Sequence, residues 1–162
     1  MRNTLLMTMM LLLCGPAQAE KPSITGRASV IDGDTIEIHG TRIRLAGIDA
    51  PESRQTCTSK ATGQRFRCGQ HASFYLADMI GTQPVTCQKL GTDKYRRTLA
   101  RCDIKGRDIG AAMVRAGWAL PYLRRGKPYS SDEAFARFNN NGLWGTYFQP
   151  PWEWRTSERG VQ

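Results

Sequence analysis

The chain has 162 residues and a formal net charge of +9, because 23 Lys and Arg outnumber 14 Asp and Glu. It contains no internal repeat or low-complexity tract, and no stretch beyond the N-terminus is apolar enough to cross a membrane, which excludes repeat proteins and multi-span membrane proteins. Arginine supplies most of the positive charge, and its planar fork matches a phosphate group, so the composition favours phosphoester partners. Attraction to an anionic cell envelope is the alternative interpretation.

The N-terminus has the features of a secretory signal peptide over residues 1–19. Arg2 supplies a positive charge, residues 5–13 form an apolar run too short to span a bilayer, and residues 17–19, Ala-Gln-Ala, form a small-residue cleavage site. We therefore expect a mature chain that begins near Glu20 and a protein that is secreted or periplasmic.

The remaining residues, 20–162, have the length of one domain, and no linker divides them. A lipid anchor at Cys14 is the alternative to a cleaved signal peptide. Leu13 disfavours the anchor, because lipid attachment requires a small residue at that position. We expect no stable membrane association after cleavage, and nothing in the sequence requires more than a monomer.

The predicted elements begin with three short strands, at 25–30, 35–38 and 43–48, followed by a polar loop over 53–69. The elements that follow are a helix over 72–80, a hairpin of strands 84–90 and 98–104, a helix from the Asp108 cap to Gly117, an extended segment at 118–120, and a helix that begins with a capping box of Ser130 and Glu133. This order is mainly β with helices, an α+β arrangement. It predicts a five-stranded Greek-key barrel of the OB type, with about three helices.

Four cysteines follow residue 20, an even number that predicts two disulfides in an exported chain, with three possible connectivities. The predicted hairpin is symmetric about residues 94–95, which places Cys87 opposite Cys102 and leaves Cys57 to pair with Cys68. A zinc site is the competing interpretation. The absence of a C-x-x-C motif and the presence of only two histidines disfavour zinc.

Two acidic clusters lie at the ends of neighbouring predicted strands, at 32–35 (Asp-Gly-Asp-Thr) and at 49–52 (Asp-Ala-Pro-Glu). Each cluster alone is more typical of a turn or a capped loop. Together they offer hard oxygen ligands of the kind that Ca²⁺ or Mg²⁺ accepts. Arg44 lies between them and the turn 93–97 adds basic side chains, which predicts hydrolysis of a phosphodiester.

Glu52 is the candidate general base of this site, because Pro51 stiffens the backbone beside the predicted metal. Imidazole chemistry is not expected. His39 lies in a predicted turn and His71 near a predicted helix start, and neither belongs to a known catalytic motif, so both are interpreted as surface residues.

The chain resembles the staphylococcal nuclease-like (thermonuclease) family over roughly its whole mature length. The segments that carry the resemblance, in order, are 31–35 (IDGDT), 42–52 (RIRLAGIDAPE) and 93–100 (DKYRRTLA). The chain is also similar to the exported bacterial branch at 54–57, 68–69, 117–119, 142–144 and 150–154.

The resemblance implies a Ca²⁺-dependent phosphodiesterase that acts on DNA and RNA, breaks the bond to the 5′ oxygen and leaves 3′-phosphate ends. The site residues that it implies are Asp34, Asp49 and the Ala50 carbonyl as ligands of one Ca²⁺, Glu52 as the base, Arg44 and Arg97 at the scissile phosphate, and Lys94, Tyr95 and Tyr122 as substrate contacts.

Three residues depart from the family pattern. Ala50 replaces a threonine, Arg124 stands where a second tyrosine is expected, and Arg96 replaces a turn glycine, which strains the turn if that position has positive φ. Two other functions remain as alternatives. They are a non-catalytic nucleic-acid-binding barrel and an exported domain that binds an acidic envelope polymer, and a pure binder of polyanions gains nothing from the acidic clusters.

Overall fold

The computed structural model of the chain describes residues 23–122 and 128–160. In chain order the elements are β1 (Ser23–Asp32), β2 (Thr35–Ile38), β3 (Thr41–Leu45), β4 (Ile48–Asp49), β5 (Cys57–Ser59), β6 (Arg65–Phe66), α1 (Cys68–Ile80), β7 (Pro84–Thr92), β8 (Thr98–Ile104), β9 (Arg107–Asp108), α2 (Ile109–Arg115), β10 (Leu120–Pro121), α3 (Ser130–Phe138), a 3₁₀ turn (Gly142–Gly145), β11 (Thr146–Tyr147) and α4 (Pro151–Gly160). The predicted signal peptide with Cys14, the start near Glu20, and Arg124 lie outside the described residues.

Five of the strands close into a barrel. Strand β1 pairs antiparallel with β2 and with β7, β2 pairs with β3, and β7 pairs with β8. The barrel closes through a parallel pairing of β3 with β8, in which Ile43 lies opposite Thr98. The prediction of a five-stranded OB barrel is confirmed. Closure also brings Arg44 on β3 next to the chain that enters β8.

Alternation along the strands fills the barrel with branched side chains. Ile36 and Ile38 of β2 and Ile43 and Leu45 of β3 are buried, as the period of two predicts for side chains on one face of a sheet. Helix α1 covers this core with buried residues at a spacing of four, Ala72, Leu76 and Ile80. Burial of each such large aliphatic side chain contributes about 1.5–3 kcal/mol.

A second, smaller core ties the C-terminal part of the chain to the 57–68 loop. Buried Cys57, Cys68, Leu120 and Leu143 form its centre, and Trp118, Trp144 and Trp152 are among the partly buried residues that pack against them. Trp144 and Trp152 therefore help to pack the C-terminal part of the chain against this loop.

Both predicted disulfides are present. Cys87 lies directly opposite Cys102 in the pairing of β7 with β8, as the hairpin symmetry predicts, and Cys57 is bonded to Cys68 with Cα atoms 5.6 Å apart. All four cysteines of the described residues are therefore in disulfide bonds, which excludes them as zinc ligands.

The predicted capping box is wrong. Ser130 is the first residue of α3, and the capping residue is Tyr129, which has a φ of 65° and makes no side-chain cap hydrogen bond. Tyr129 is held there from outside its own helix, since its hydroxyl lies 3.1 and 3.2 Å from the two carboxylate oxygens of Asp108. Burial, followed by the charge of Asp108, raises the pKa of Tyr129 to about 12. Asp108 itself caps α2, as predicted.

The structure adds two features to the predicted organisation. The 53–69 loop contains β5 and β6, and β5 pairs with β11 near the C-terminus. The described residues also include a fourth helix, α4, which the sequence analysis did not assign. Pro151 at its first position and Glu153 in its first turn are ordinary helix-start signals, and both were available in the sequence.

The turn between β7 and β8 is built around Asp93. Its carboxylate accepts the backbone N–H groups of Tyr95 and Arg97, each at 2.9 Å. Arg96, at the family's glycine position, has a φ of 66°. The left-handed conformation is thus retained although the residue carries a side chain.

We expect Arg96→Gly to raise the free energy of unfolding by about 0.5–1 kcal/mol. Removal of the side chain relieves the left-handed strain, and the greater freedom of glycine in the unfolded chain offsets part of that gain. Urea denaturation of the oxidised protein measures the change. Arg96→Ala loses the same charge but keeps Cβ, so it should show no gain. Equal gains in both variants would contradict the role of φ.

We expect Gly69→Ala to lower the free energy of unfolding by about 1–3 kcal/mol, because the new methyl group has no room. A Cβ on Gly69, in the first turn of α1, would overlap the backbone carbonyl oxygen of Glu52 and lie 2.9 Å from that of Pro51. Gly91→Ala is the control, since a Cβ there meets no atom within 4 Å. A Gly69→Ala variant as stable as Gly91→Ala would show that the close approach has no cost.

Candidate active site

A cavity of about 1060 Å³ opens beside the β1–β2 turn, β3 and the β7–β8 turn. It is also lined by the segment after β4 and by α4, including Trp152, Trp154 and Arg155. The predicted site residues that line this cavity are Asp34, Arg44, Ala50, Glu52, Lys94, Tyr95, Arg97 and Tyr122. Asp49, the remaining one, is fully buried directly behind it. Neither His39 nor His71 lines the cavity, and both side chains are exposed, as predicted.

Asp34 lies in the turn between β1 and β2 and is buried. Its Oδ1 atom accepts hydrogen bonds from the Arg44 guanidinium and from the Thr35 hydroxyl at 3.0 Å, and its Oδ2 atom accepts the N–H of Ala50 at 3.1 Å. Burial raises the pKa of the Asp34 carboxyl, and the Arg44 charge offsets part of this effect. The turn is closed by Asp32, which accepts the backbone N–H of Asp34 at 3.0 Å.

Arg44 bridges two carboxylates. One of its terminal nitrogens donates to Asp34, and the other, Nη2, donates to Oδ1 of Asp49 at 2.7 Å. Burial lowers the pKa of Arg44, but the negative charges of Asp34 and Asp49 outweigh burial and raise it. The guanidinium therefore stays charged. The Arg44 side chain as a whole is only 15% exposed.

Asp49 is fixed from two sides. Its backbone belongs to β4, which pairs with β10 so that Asp49 lies opposite Leu120. Its carboxylate accepts Arg44 on one side and a bidentate contact from Arg155 of α4 on the other, at 2.7 Å to Oδ2 and 3.2 Å to Oδ1. Arg44 and Arg155 thus both pair with the buried negative charge of Asp49.

Arg155 also reaches Glu52, to which its Nη1 atom donates a hydrogen bond of 2.8 Å at Oε1. Burial lowers the pKa of Arg155, but hydrogen bonds to Asp49 and Glu52 outweigh burial and raise it. The sequence analysis missed Arg155. The segment 150–154 resembles the exported branch, and its helix-start signals, Pro151 and Glu153, are the sequence features that indicate a helix including Arg155.

Glu52 follows Pro51 in the segment after β4, and its side chain is 39% exposed. The backbone here is held by Gln55, a fully buried residue that the sequence analysis also missed. The Gln55 side chain accepts the Glu52 N–H at 3.3 Å and donates to the carbonyl of Gln149 at 2.6 Å. The segment that carries Glu52 is therefore tied to the start of α4.

Arg97 approaches the same cavity from the β7–β8 turn. Its Nε atom donates to Asp93 at 2.7 Å, and its Nη1 atom lies 3.5 Å from the hydroxyl of Thr35, the neighbour of Asp34. Burial would raise the pKa of Asp93, but hydrogen bonds from Arg97 and from the Tyr95 backbone outweigh burial and lower it. Arg97 keeps 26% of its side chain exposed.

Aromatic and basic side chains border the cavity on its outer side. Tyr95 is exposed, and the Lys94 ammonium lies 4.9 Å from the centre of its ring. Tyr122 is exposed as well and stacks on Trp152, with ring centres 5.6 Å apart. These flat surfaces are the kind on which nucleic-acid bases stack.

The donor chemistry of the site consists of carboxylate and carbonyl oxygens, which suits a hard divalent cation such as Ca²⁺. The described residues contain no preassembled group of three or more His, Cys, Asp or Glu side chains that could hold a metal ion. The oxygens of Asp34 and Asp49 accept hydrogen bonds from the arginines. The oxygen atoms of these residues fit such a cation by chemistry, and Arg44 and Arg155 lie beside the two carboxylates.

The sequence matches the family model described as staphylococcal nuclease homologue over residues 42–146. It is 37% identical to the succinoglycan biosynthesis protein ExoI of Rhizobium meliloti (strain 1021) over 137 residues, 83% of this chain and 71% of that protein. It is 35% identical to the micrococcal nuclease of Shigella flexneri over 150 residues, 82% of this chain and 80% of that protein. It is 29% identical to an uncharacterized endonuclease of Haemophilus influenzae, over 98% of this chain and 88% of that protein.

None of the helices in the described ranges is both long and apolar enough to span a bilayer.

The family match, together with relatives that are a micrococcal nuclease and an endonuclease, decides between the catalytic and the purely binding interpretations of the barrel. The chain therefore belongs to the staphylococcal nuclease family, and it is a nuclease, a hydrolase of the phosphodiester bonds of nucleic acids.

Proposed function

We propose that this nuclease is exported, requires Ca²⁺, and cleaves both DNA and RNA to leave 3′-phosphate ends. The observation that carries the proposal is a network of five side chains with alternating charge at the cavity, Asp34, Arg44, Asp49, Arg155 and Glu52. Thr35 links this five-residue network to Arg97 through its hydroxyl. Carboxylates for a cation, a carboxylate that can act as a base, and guanidinium groups are the parts that phosphodiester hydrolysis needs.

One Ca²⁺ would be held by the carboxylates of Asp34 and Asp49 and by the backbone carbonyl of Ala50, with water completing its shell. When bound, the cation neutralises negative charge on the phosphate and favours attack by water. Ala50 suits this role although the resemblance expects threonine there, because the ligand is a main-chain oxygen. Its N–H group already holds Asp34, so the two acidic segments are joined before any cation binds.

Glu52 would act as the general base. Its Oε1 atom is engaged by Arg155, while Oε2 accepts no hydrogen bond from the described residues, so Oε2 is available to a water molecule. The water proton passes to Glu52 as the water oxygen bonds to phosphorus. The bond from phosphorus to the 5′ oxygen breaks, and that oxygen takes a proton from solvent. The products are a 3′-phosphate and a 5′-hydroxyl.

Arg44 and Arg97 would stabilise the charge that develops on the phosphoryl oxygens. Both are partly buried cations beside the cavity, where electrostatic contacts are stronger than in bulk water. Lys94 would contact a neighbouring phosphate, and Tyr95 and Tyr122 would stack on bases. Stacking accepts any base and does not require a particular sugar, which supports action on both DNA and RNA.

Export is supported by the two disulfides, which persist in oxidising compartments. The strongly basic composition suits a monomer that meets its polyanionic substrate by electrostatic attraction.

The proposal is tested with purified protein that begins at Glu20, incubated with plasmid DNA and with RNA, in Ca²⁺, in Mg²⁺ and in a chelator. We expect cleavage of both substrates in Ca²⁺, loss of cleavage in the chelator, and its recovery when Ca²⁺ is restored. End-group analysis should find 3′-phosphates. Full activity in the chelator, or products with 5′-phosphates, would contradict the proposed reaction.

We expect Glu52→Gln to lower kcat by about 10²- to 10⁴-fold, because the amide cannot accept the water proton. The amide oxygen can still accept the Arg155 hydrogen bond, so the local contact is retained. Glu153→Gln, at an exposed position on α4, is the control and should keep the wild-type rate. A Glu52→Gln variant that turns over at the wild-type rate would exclude Glu52 as the base.

A further inference from the structure

Helix α4 follows the segment that matches the family model, which ends at residue 146, yet it contributes a side chain to the centre of the site. We propose that Arg155 is a positioning residue that fixes the Glu52 carboxylate relative to Asp49, and that α4 is therefore part of the catalytic apparatus. This inference rests on the proposed function, since it concerns the group assigned there as the base.

The geometry of Arg155 leaves its guanidinium little freedom. Its two terminal nitrogens contact both oxygens of Asp49, at 2.7 and 3.2 Å, and a two-point contact fixes the plane of the group. Once the plane is fixed, the direction of the third hydrogen bond, 2.8 Å to Glu52, is fixed as well. The position of Asp49 is itself fixed, because Asp49 is fully buried and also accepts a hydrogen bond from Arg44.

Glu52 needs such a partner. Arg155 is the only side chain in the described ranges that donates a hydrogen bond to its carboxylate. The side chain is 39% exposed, so packing alone does not select one rotamer. A displacement of about 1 Å at a reacting group can lower a rate about 10²-fold.

Packing contacts and a buried hydrogen bond hold helix α4 in the position from which Arg155 contacts Glu52. Trp152 packs against the second core and stacks on Tyr122. Gln149 lies two residues before the first residue of α4, and its carbonyl oxygen accepts a hydrogen bond of 2.6 Å from the side-chain amide of Gln55. The same Gln55 side chain accepts the Glu52 N–H, so the backbone of Glu52 and the start of α4 share one buried anchor.

The test compares Arg155→Ala, Arg155→Lys and a control, Arg137→Ala. The control removes a helical arginine whose ion pair with Glu133 has the same length, 2.8 Å, at a position that does not line the cavity. We expect Arg155→Ala to lower kcat by about 10²-fold with KM changed less than about threefold, since positioning acts on the chemical step. Arg137→Ala should match wild type in both constants.

Arg155→Lys keeps the charge and most of the aliphatic stem, which preserves the packing of α4. The donors of an ammonium all lie on one nitrogen, so they do not form the planar two-nitrogen contact with Asp49 that orients the hydrogen bond to Glu52. We expect its kcat to stay close to that of Arg155→Ala. Methylguanidinium added to Arg155→Ala, well below concentrations that unfold proteins, should restore part of kcat, which loss of packing alone would not allow. Wild-type kcat in both Arg155 variants, or no rescue, would overturn the proposal.

Two measurements on the same proteins do not depend on cleavage. A nonhydrolysable dinucleotide bisphosphate should bind Arg155→Ala within about threefold of wild type, and a clear loss of affinity would make Arg155 a substrate contact instead. Amide hydrogen exchange over residues 50–55 should become several-fold faster in Arg155→Ala but not in Arg137→Ala. If exchange becomes faster in Arg155→Ala but the wild-type protein cleaves neither DNA nor RNA, only the proposed function is refuted. If exchange in Arg155→Ala is unchanged, the positioning role is refuted.

Discussion

Two arginines hold three carboxylates together beside the cavity, and the rest of the site depends on this alternation of charge. Asp49 is fully buried, and a buried carboxylate is tolerated only when it is paired and hydrogen-bonded. Arg44 reaches it from the barrel and Arg155 from the last helix. Because each arginine also contacts a second carboxylate, Asp34 or Glu52, a change at any one position alters the charge balance of its neighbours.

The barrel is what makes this arrangement possible. Arg44 lies on β3, and the parallel pairing of β3 with β8 closes the sheet beside it, at the point where Arg97 enters β8. The β4–β10 pairing holds Asp49 at the same end of the molecule. Strand pairing thus brings together residues from distant parts of the chain. Gln55, buried between the Glu52 segment and Gln149, holds the segment that carries Glu52, which is not part of a strand.

Local patterns were sufficient to predict most of this architecture. The strands follow from alternation, and the Cys87–Cys102 bond follows from the symmetry of one hairpin. The Arg155 contacts could not be predicted in this way, because they join residues 103 and 106 positions apart and no periodicity records such a separation. The predicted cap of α3 was wrong for the same reason, since Tyr129 is held by Asp108, the residue that caps α2.

Arg155 follows Glu52 by 103 residues and Asp49 by 106 residues along the chain. Because synthesis proceeds from the N-terminus, Asp49 and Glu52 leave the ribosome about a hundred residues before Arg155, which pairs with both of them. A nascent chain or a prematurely terminated product that lacks α4 carries Asp49 with Arg44 alone, and Glu52 without its arginine partner. The network around Asp49 therefore forms only after the chain has been synthesised through α4.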